Sequence, residues 1–181
     1  MKINELKRSL QGLTKEELIK DVADLFKKND FVKDYYTSKF SEQGDLSVLS
    51  KYKKIIVNEF FPEHGFGDVR LSVAKKAITE FKKINSDKAL LAELMLLYVD
   101  VGVEYTDCYG DIDEQFYSSI GGMYERALKL IRKNDMLPLF KEQCLQIMND
   151  VPDMGWGFPD QMSDAYETYV GEWVPSQDVA Q

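Results

Sequence analysis

Apolar residues recur along this chain at intervals of three and four, broken by short polar or glycine-bearing runs. The pattern predicts helices nearly throughout, and no stretch sustains the alternation of a strand. A short helix is expected from about Ile3 to Leu10, closed by Gly12. Thr14 followed by Glu17 reads as a capping box, opening a helix whose apolar positions are Leu18, Val22, Leu25 and Phe26. Phe31 to Phe40 is a third helix, and the Ser-Glu-Gln-Gly run after it is a loop. Ser47 is expected to cap a fourth, with Leu49, Tyr52, Ile56 and Phe60 at helical spacing, ending before Pro62. The segment "PEHGFGD" is the clearest break, after which Asp68 is expected to cap a fifth helix with Val73, Ala77, Phe81 and Ile84 on one side.

Ser86 or Asp87 opens the most apolar segment, whose hydrophobic surface wraps most of the circumference and so predicts packing on several sides. Asp111 with Glu114 is a second capping-box pattern, ahead of a stripe formed by Phe116, Ile120, Met123, Ala127 and Ile131. Another helix follows "NDMLP" and runs to about Asp150. After the loop "VPDMGWGFPD" a last helix is expected from Asp160 to Trp173. The expected fold is all-α: an irregular helical bundle or α-solenoid-like stacked hairpins of about eight or nine helices. An N-terminal helical subdomain over residues 1–61, a main helical subdomain over 62–175 and a disordered tail at 176–181 are one division. A single continuous domain is the other. Gly102 and the pair Gly121-Gly122 lie equally far from the intervening "YGDIDE" turn, so an antiparallel hairpin would set them at one height. Close backbone approach is expected there, since a helical Gly otherwise costs about 1 kcal/mol relative to Ala.

Length and composition narrow the class. A chain of 181 residues, 44% hydrophobic and 30% charged, is long enough for a real core. Its most apolar run is interrupted by Glu93 and Asp100, so no membrane span is expected, and no secretory signal is visible. Cys108 and Cys144 support neither a disulfide framework nor a thiolate metal site, which leaves a reducing cytoplasm as the expected compartment. The net charge of −8 argues against nucleic acid as the main partner. It is unevenly placed: Met1 to Lys83 carries a net of +4, and Ile84 to Gln181 a net of −12. The two parts could attract each other, or a neighbouring copy.

Candidate chemistry is sparse. His64 is the only histidine, which excludes zinc motifs built on paired histidines and leaves one imidazole in a glycine-containing loop. That loop leads into Arg70, a forked donor suited to an anion or a carboxylate. It is no dinucleotide fingerprint, because the third glycine and a preceding strand are missing. Ser72 to Lys75 matches S-x-x-K, as does Ser50 to Lys53, but the companion acyl-enzyme elements are absent. No cofactor and no metal is therefore expected. Glu93, Asp100, Glu104 and Asp107 fall within roughly 60° of one another at 100° per residue and share one helical stripe. Asp111, Asp113 and Glu114 continue the acidity around the next turn. These carboxylates call for water, a cation or a basic neighbour, and Arg70 with the lysines of the preceding helix is the expected internal counter-charge. Trp156 between two glycines, with Phe158, is a candidate interface.

Three segments carry a resemblance: "FFP…G-x-G…RLS-x-AKKAI", "YGDI-x-E-x-FY" and "GWGF", within a likeness that spans nearly the whole chain. Together they resemble a bacterial domain-of-unknown-function family of small helical proteins. The resemblance implies a bacterial, cytosolic, mostly helical protein and carries no catalytic residue. The chain departs from the family's pattern at Asp68, where a basic residue is common, and at Pro159, where His is expected.

Two readings of function follow. The first is a non-enzymatic protein-interaction module with an acidic surface, engaging a protein partner or a second copy. The second is a small-molecule or metal-dependent enzyme with its site between the "HGFGDVR" loop and the acidic helix. Candidate ligand-binding residues are His64, Arg70, Glu104, Asp107 and Asp111, and a pocket joining His64, Arg70 and Glu104 would favour the enzyme.

Overall fold

The three- and four-residue spacing of apolar positions is realised as nine helices and no strand among the described residues, which in this computed structural model are 1–151 and 154–172. They are α1 (Ile3–Gln11), α2 (Lys15–Lys28), α3 (Asp30–Phe40), α4 (Gly44–Phe60), α5 (Leu71–Ile84), α6 (Lys88–Tyr109), α7 (Glu114–Lys133), α8 (Leu137–Asn149) and α9 (Phe158–Tyr169). The fold is all-α. The chain divides into two units, Met1–Val48 and Leu49–Gln181, and the division falls inside α4. The tail at 176–181 and Trp173, expected to end the last helix, lie outside the described residues.

In the first unit local sequence dictates the helix ends. The Thr14 N–H donates to Glu17 Oε2 (2.8 Å) and the Glu17 N–H returns to Thr14 Oγ1 (3.2 Å), a reciprocal cap that starts α2. Asn29 caps α3 by accepting from the Val32 N–H. Ser47, expected from sequence to cap α4, does not; it sits within the helix, which begins at Gly44. The cause is tertiary. A Cβ at Gly44 would run into the Thr37 backbone, so glycine lets the chain turn tightly there, and Ser38 bonds Asp45 across the corner. Neither α1 nor α2 has a buried residue, and Ile19, Leu25 and Phe40 remain exposed.

The second unit holds most of the core. Its centre is the hairpin of α6 and α7, with α5 and α8 on α6 and α9 on α7. Asp87 starts α6 by accepting from the Ala89 and Leu90 N–H groups, and eleven residues of this helix are buried. The α7 stripe of Phe116, Ile120, Met123, Ala127 and Ile131 is buried as its spacing requires. Phe60, at the end of α4, sets its ring edge-on to Tyr98 (5.9 Å) and Phe116 (6.4 Å). Buried hydroxyls are satisfied: Tyr98 meets Ser119 Oγ at 2.8 Å, and Tyr124 donates to the Cys144 carbonyl at 2.9 Å.

The glycines behave differently from expectation. Gly102 does not face Gly121 and Gly122. A Cβ on Gly102 would stand 2.5 Å from Ile120 Cδ1, so a side chain of α7, not its backbone, fills the notch in α6. Gly121 faces α9 instead, where a Cβ would stand 2.5 Å from Gln161 Oε1, and Gly122 has nothing within 4 Å. The equal distance from the turn fixes the height of these residues but not the side they face. Helices α6 and α9 therefore meet different faces of α7.

Candidate functional site

The segments "FFP" and "G-x-G…RLS" form one clasp. Gly67 lies where any Cβ would strike the carbonyls of Glu59 and Phe60, so the loop folds back over the end of α4. There the Val69 N–H donates to the Glu59 carbonyl at 2.8 Å. Arg70 then forks onto the buried Glu59 carboxylate, Nε to Oε2 at 2.9 Å and Nη2 to Oε1 at 2.9 Å. Two expectations are corrected here. Asp68 does not cap α5, whose N-cap is Arg70; its carboxylate lies 3.5 Å from Arg70 Nη2. Nor does Arg70 neutralise Glu104 or Asp107, because a carboxylate eleven residues earlier, buried by the same clasp, engages it first. His64 stands exposed in the loop.

A second clasp joins "YGDI-x-E-x-FY" to "GWGF". Asp113, not Asp111, caps α7, accepting from the Phe116 N–H at 2.7 Å. Asp111 is drawn away because its Oδ1 accepts from the Tyr117 hydroxyl (2.6 Å) and from the Gly155 N–H (3.0 Å). Those two donors hold the Asp111 carboxyl below the usual aspartate range, while burial and this carboxylate push the Tyr117 phenol up. A Cβ at Gly155 would meet Asp111 Oδ2 at 2.6 Å, so a larger residue there would have to displace the Asp111 carboxylate. Trp156 and Gly157 both take positive φ, and α9 starts at Phe158 with Pro159 in its first turn, earlier than the expected Asp160. Phe158 is a correction as well. It is 1% exposed and packs on Tyr117 with ring centres 4.9 Å apart, so it belongs to the core and not to a surface. Trp156 is 61% exposed.

The acidic face of α6 is only partly neutralised from within. Lys53 of α4, and not a lysine of α5 as expected, pairs with Glu93. Further along, Asp100, Glu104, Asp107 and Asp111 line a cleft of about 650 Å³, closed on its far side by Asn149, Asp150 and Met154. No Lys or Arg is among its lining residues, and none of the described ones comes within 4 Å of Asp100, Glu104 or Asp107. Partial burial raises the Asp100 carboxyl above the ordinary aspartate range, and Glu104 and Asp150 push it the same way. Asp150 accepts from the Gln146 amide at 3.1 Å. The cleft thus gathers Glu104, Asp107 and Asp111 from the expected set and leaves out His64 and Arg70. Asp150 was missed, because only the packing of α8 on α6 brings its carboxylate opposite the stripe; nothing in its own neighbourhood signals that.

Among the described residues no group of three or more His, Cys, Asp or Glu is arranged to hold a metal ion, and no helix is long and apolar enough to cross a membrane. Of the two cysteines, Cys144 is buried, which pushes its thiol up to about 12, and Cys108 is exposed. No curated protein and no solved structure matches this chain. One family model does match, over residues 1–169, and those bounds hold both clasps and every lining residue of the cleft. The chain belongs to a family of unknown function, DUF6155.

Proposed function

We propose that this chain is a non-enzymatic protein-interaction module whose acidic cleft receives a basic segment of a partner protein. The carrying observation is the cleft itself: about 650 Å³, four carboxylates from α6 and the turn after it, a fifth from the end of α8, and no basic lining residue. Partial burial and then the neighbouring charges of Glu104 and Asp150 raise the proton affinity of Asp100, and an arriving lysine or arginine relieves that repulsion. Trp156 extends the same surface, because its neighbour Gly155 is fixed by Asp111, and an exposed indole offers a face to a cationic side chain. The reading of an enzyme between the "HGFGDVR" loop and α6 has no comparable support, since Arg70 is engaged by Glu59. The free thiols fit a reducing cytoplasm.

The test is calorimetric titration of the full chain with a short lysine- and arginine-rich peptide. Binding should weaken by about tenfold or more in the pair Glu104→Gln with Asp107→Asn, and less in Trp156→Ala. Absence of binding, or an affinity the carboxylate pair does not alter, would overturn the reading.

A further inference from the structure

Near the start of α6 a second cleft, of about 470 Å³, has the opposite sign. Lys75 and Lys82 of α5 form one wall, Arg126, Lys129 and Lys133 of α7 the other, and Lys88 stands at the first position of α6. Leu91 and Met95 of α6, with Ile78 and Met123, make the floor. No carboxylate is among its lining residues, and none of the described ones lies within 4 Å of any of the six cations. Residues 84–181 carry six Lys and Arg in all, and four of them line this one cleft. Helix stability accounts for some of this, since Lys82 and Lys133 sit in last turns, where a cation suits the helix dipole. It does not account for Lys88, placed at the helix start where the dipole disfavours a positive charge.

We infer that this cleft is a docking groove for an acidic amphipathic helix of a partner protein. Charge complementarity selects an anionic occupant, and the spacing selects its form. Lys75 to Lys82 and Arg126 to Lys133 each span seven residues, about 10.5 Å along a helix axis. The two cationic rows therefore flank the floor for two turns, matching carboxylates on either side of an apolar helical stripe. Methionines at the floor adapt to varied apolar side chains, as suits a groove that takes a helix. Nucleic acid fits less well, because no aromatic side chain lines the cleft to stack on a base. An anionic bilayer fits less well too, because the cations surround a hollow whose apolar floor is buried, whereas membrane binding needs apolar side chains that project.

The experiment titrates the full-length protein with a labelled helical peptide of about four turns, leucines on one face and glutamates along both sides. A peptide of identical composition with its leucines scattered around the helix is the control. The patterned peptide should bind about tenfold or more tightly than the control, and Lys129→Glu should weaken it by a similar factor. The milder pair Lys82→Gln with Lys129→Gln should weaken it without altering the helical circular dichroism. Lys141→Glu, on α8 outside the cleft, should change nothing. Equal binding of the two peptides, or indifference to the Lys129 and Lys82 variants, would overturn the inference. So would preferential binding of phosphatidylglycerol vesicles or of a single-stranded oligonucleotide with no response to the patterned peptide.

Discussion

Helix α6 bears an acidic cleft towards its end and a basic one at its start, and the contrast shows what the fold does with charge. Lys88 opens the helix and Asp107 lies in its final turn, so both ends carry the sign that the helix dipole disfavours. Neither placement is explained by stabilising the helix that holds it. Counted by sequence halves, the charge looks like a basic module beside an acidic one. In space it is sorted otherwise: four of the six cations after Lys83 gather with Lys75 and Lys82 of α5, and Asp100, Glu104 and Asp107 of α6 gather with Asp150. Each cleft then calls for a counter-charge from outside. The acidic face does receive one internal partner, Lys53 at Glu93, two turns ahead of the acidic cleft along α6.

The two clefts share a scaffold, and breaking it should abolish both. Ile120 is wholly buried with its side chain in the Gly102 notch that joins α7 to α6. Ile120→Ala should lower the free energy of urea unfolding by about 2–5 kcal/mol. Both probe peptides should be lost together near the new midpoint. A cost below about 1 kcal/mol would mean that the notch is not what fixes α6 against α7.

Smaller and more selective is a change of sign at one end. Asp107→Lys should weaken the basic peptide by about tenfold or more and leave the acidic one unchanged. Lys88→Glu should do the reverse. Because each exchange also gives its helix end the sign its dipole favours, each should raise stability by about 0.3–1 kcal/mol. Binding and stability moving in opposite directions separates a functional charge from a structural one. If either variant weakened both peptides equally, the clefts would not be independent.

Neighbouring glycines on α7 give a third contrast. Gly122→Ala meets open space and should gain about 0.5–1 kcal/mol in thermal or chemical denaturation, the ordinary helical preference for alanine. Gly121→Ala must displace Gln161 of α9 and should gain nothing or lose stability. Equal effects at the two positions would show that α9 does not press on Gly121.

How far the sequence revealed this follows from the range of each interaction. The Thr14–Glu17 cap, Asp87 at the start of α6 and the buried stripe of α7 are made within one helix turn or along one face, so spacing alone exposes them. Asp68, Asp111 and Ser47 were expected as caps because each has the right chemistry near a helix start. In the fold, Asp68 lies beside Arg70, Asp111 is held by Tyr117 and Gly155, and α4 begins before Ser47 because Gly44 admits the Thr37 backbone. At Asp111 tertiary partners outcompeted the local cap, and at Asp68 the helix start moved to Arg70, which Glu59 holds. The carboxylate stripe on α6 was legible for the same reason as the caps, since it lies on one helix. The opposing wall at Asp150 was not, and neither was the basic cleft, whose cations come from three helices that only packing brings together.

The smallest expected effect concerns Asp100. Partial burial, then Glu104 and Asp150, keeps its carboxyl above the ordinary aspartate range, so the folded chain holds this proton more tightly than the unfolded chain does. Its contribution to stability is then full below the unfolded value, about 3.9, and is lost as pH rises through the folded one. Asp100→Asn cannot titrate. Its stability should match that of the parent chain in acid and exceed it towards neutral pH by about a few tenths of a kcal/mol, because water reaching Asp100 screens the repulsion. A bound cation favours the ionised carboxyl, so the parent chain's affinity for the basic peptide should climb across that window, and the variant's should climb less. Stability curves for the two proteins that run parallel from acid to neutral pH would mean that Asp100 is not crowded by Glu104 and Asp150. The acidic cleft would then have lost the internal repulsion that makes a cationic partner favourable, while the basic cleft at the other end of α6 would be untouched.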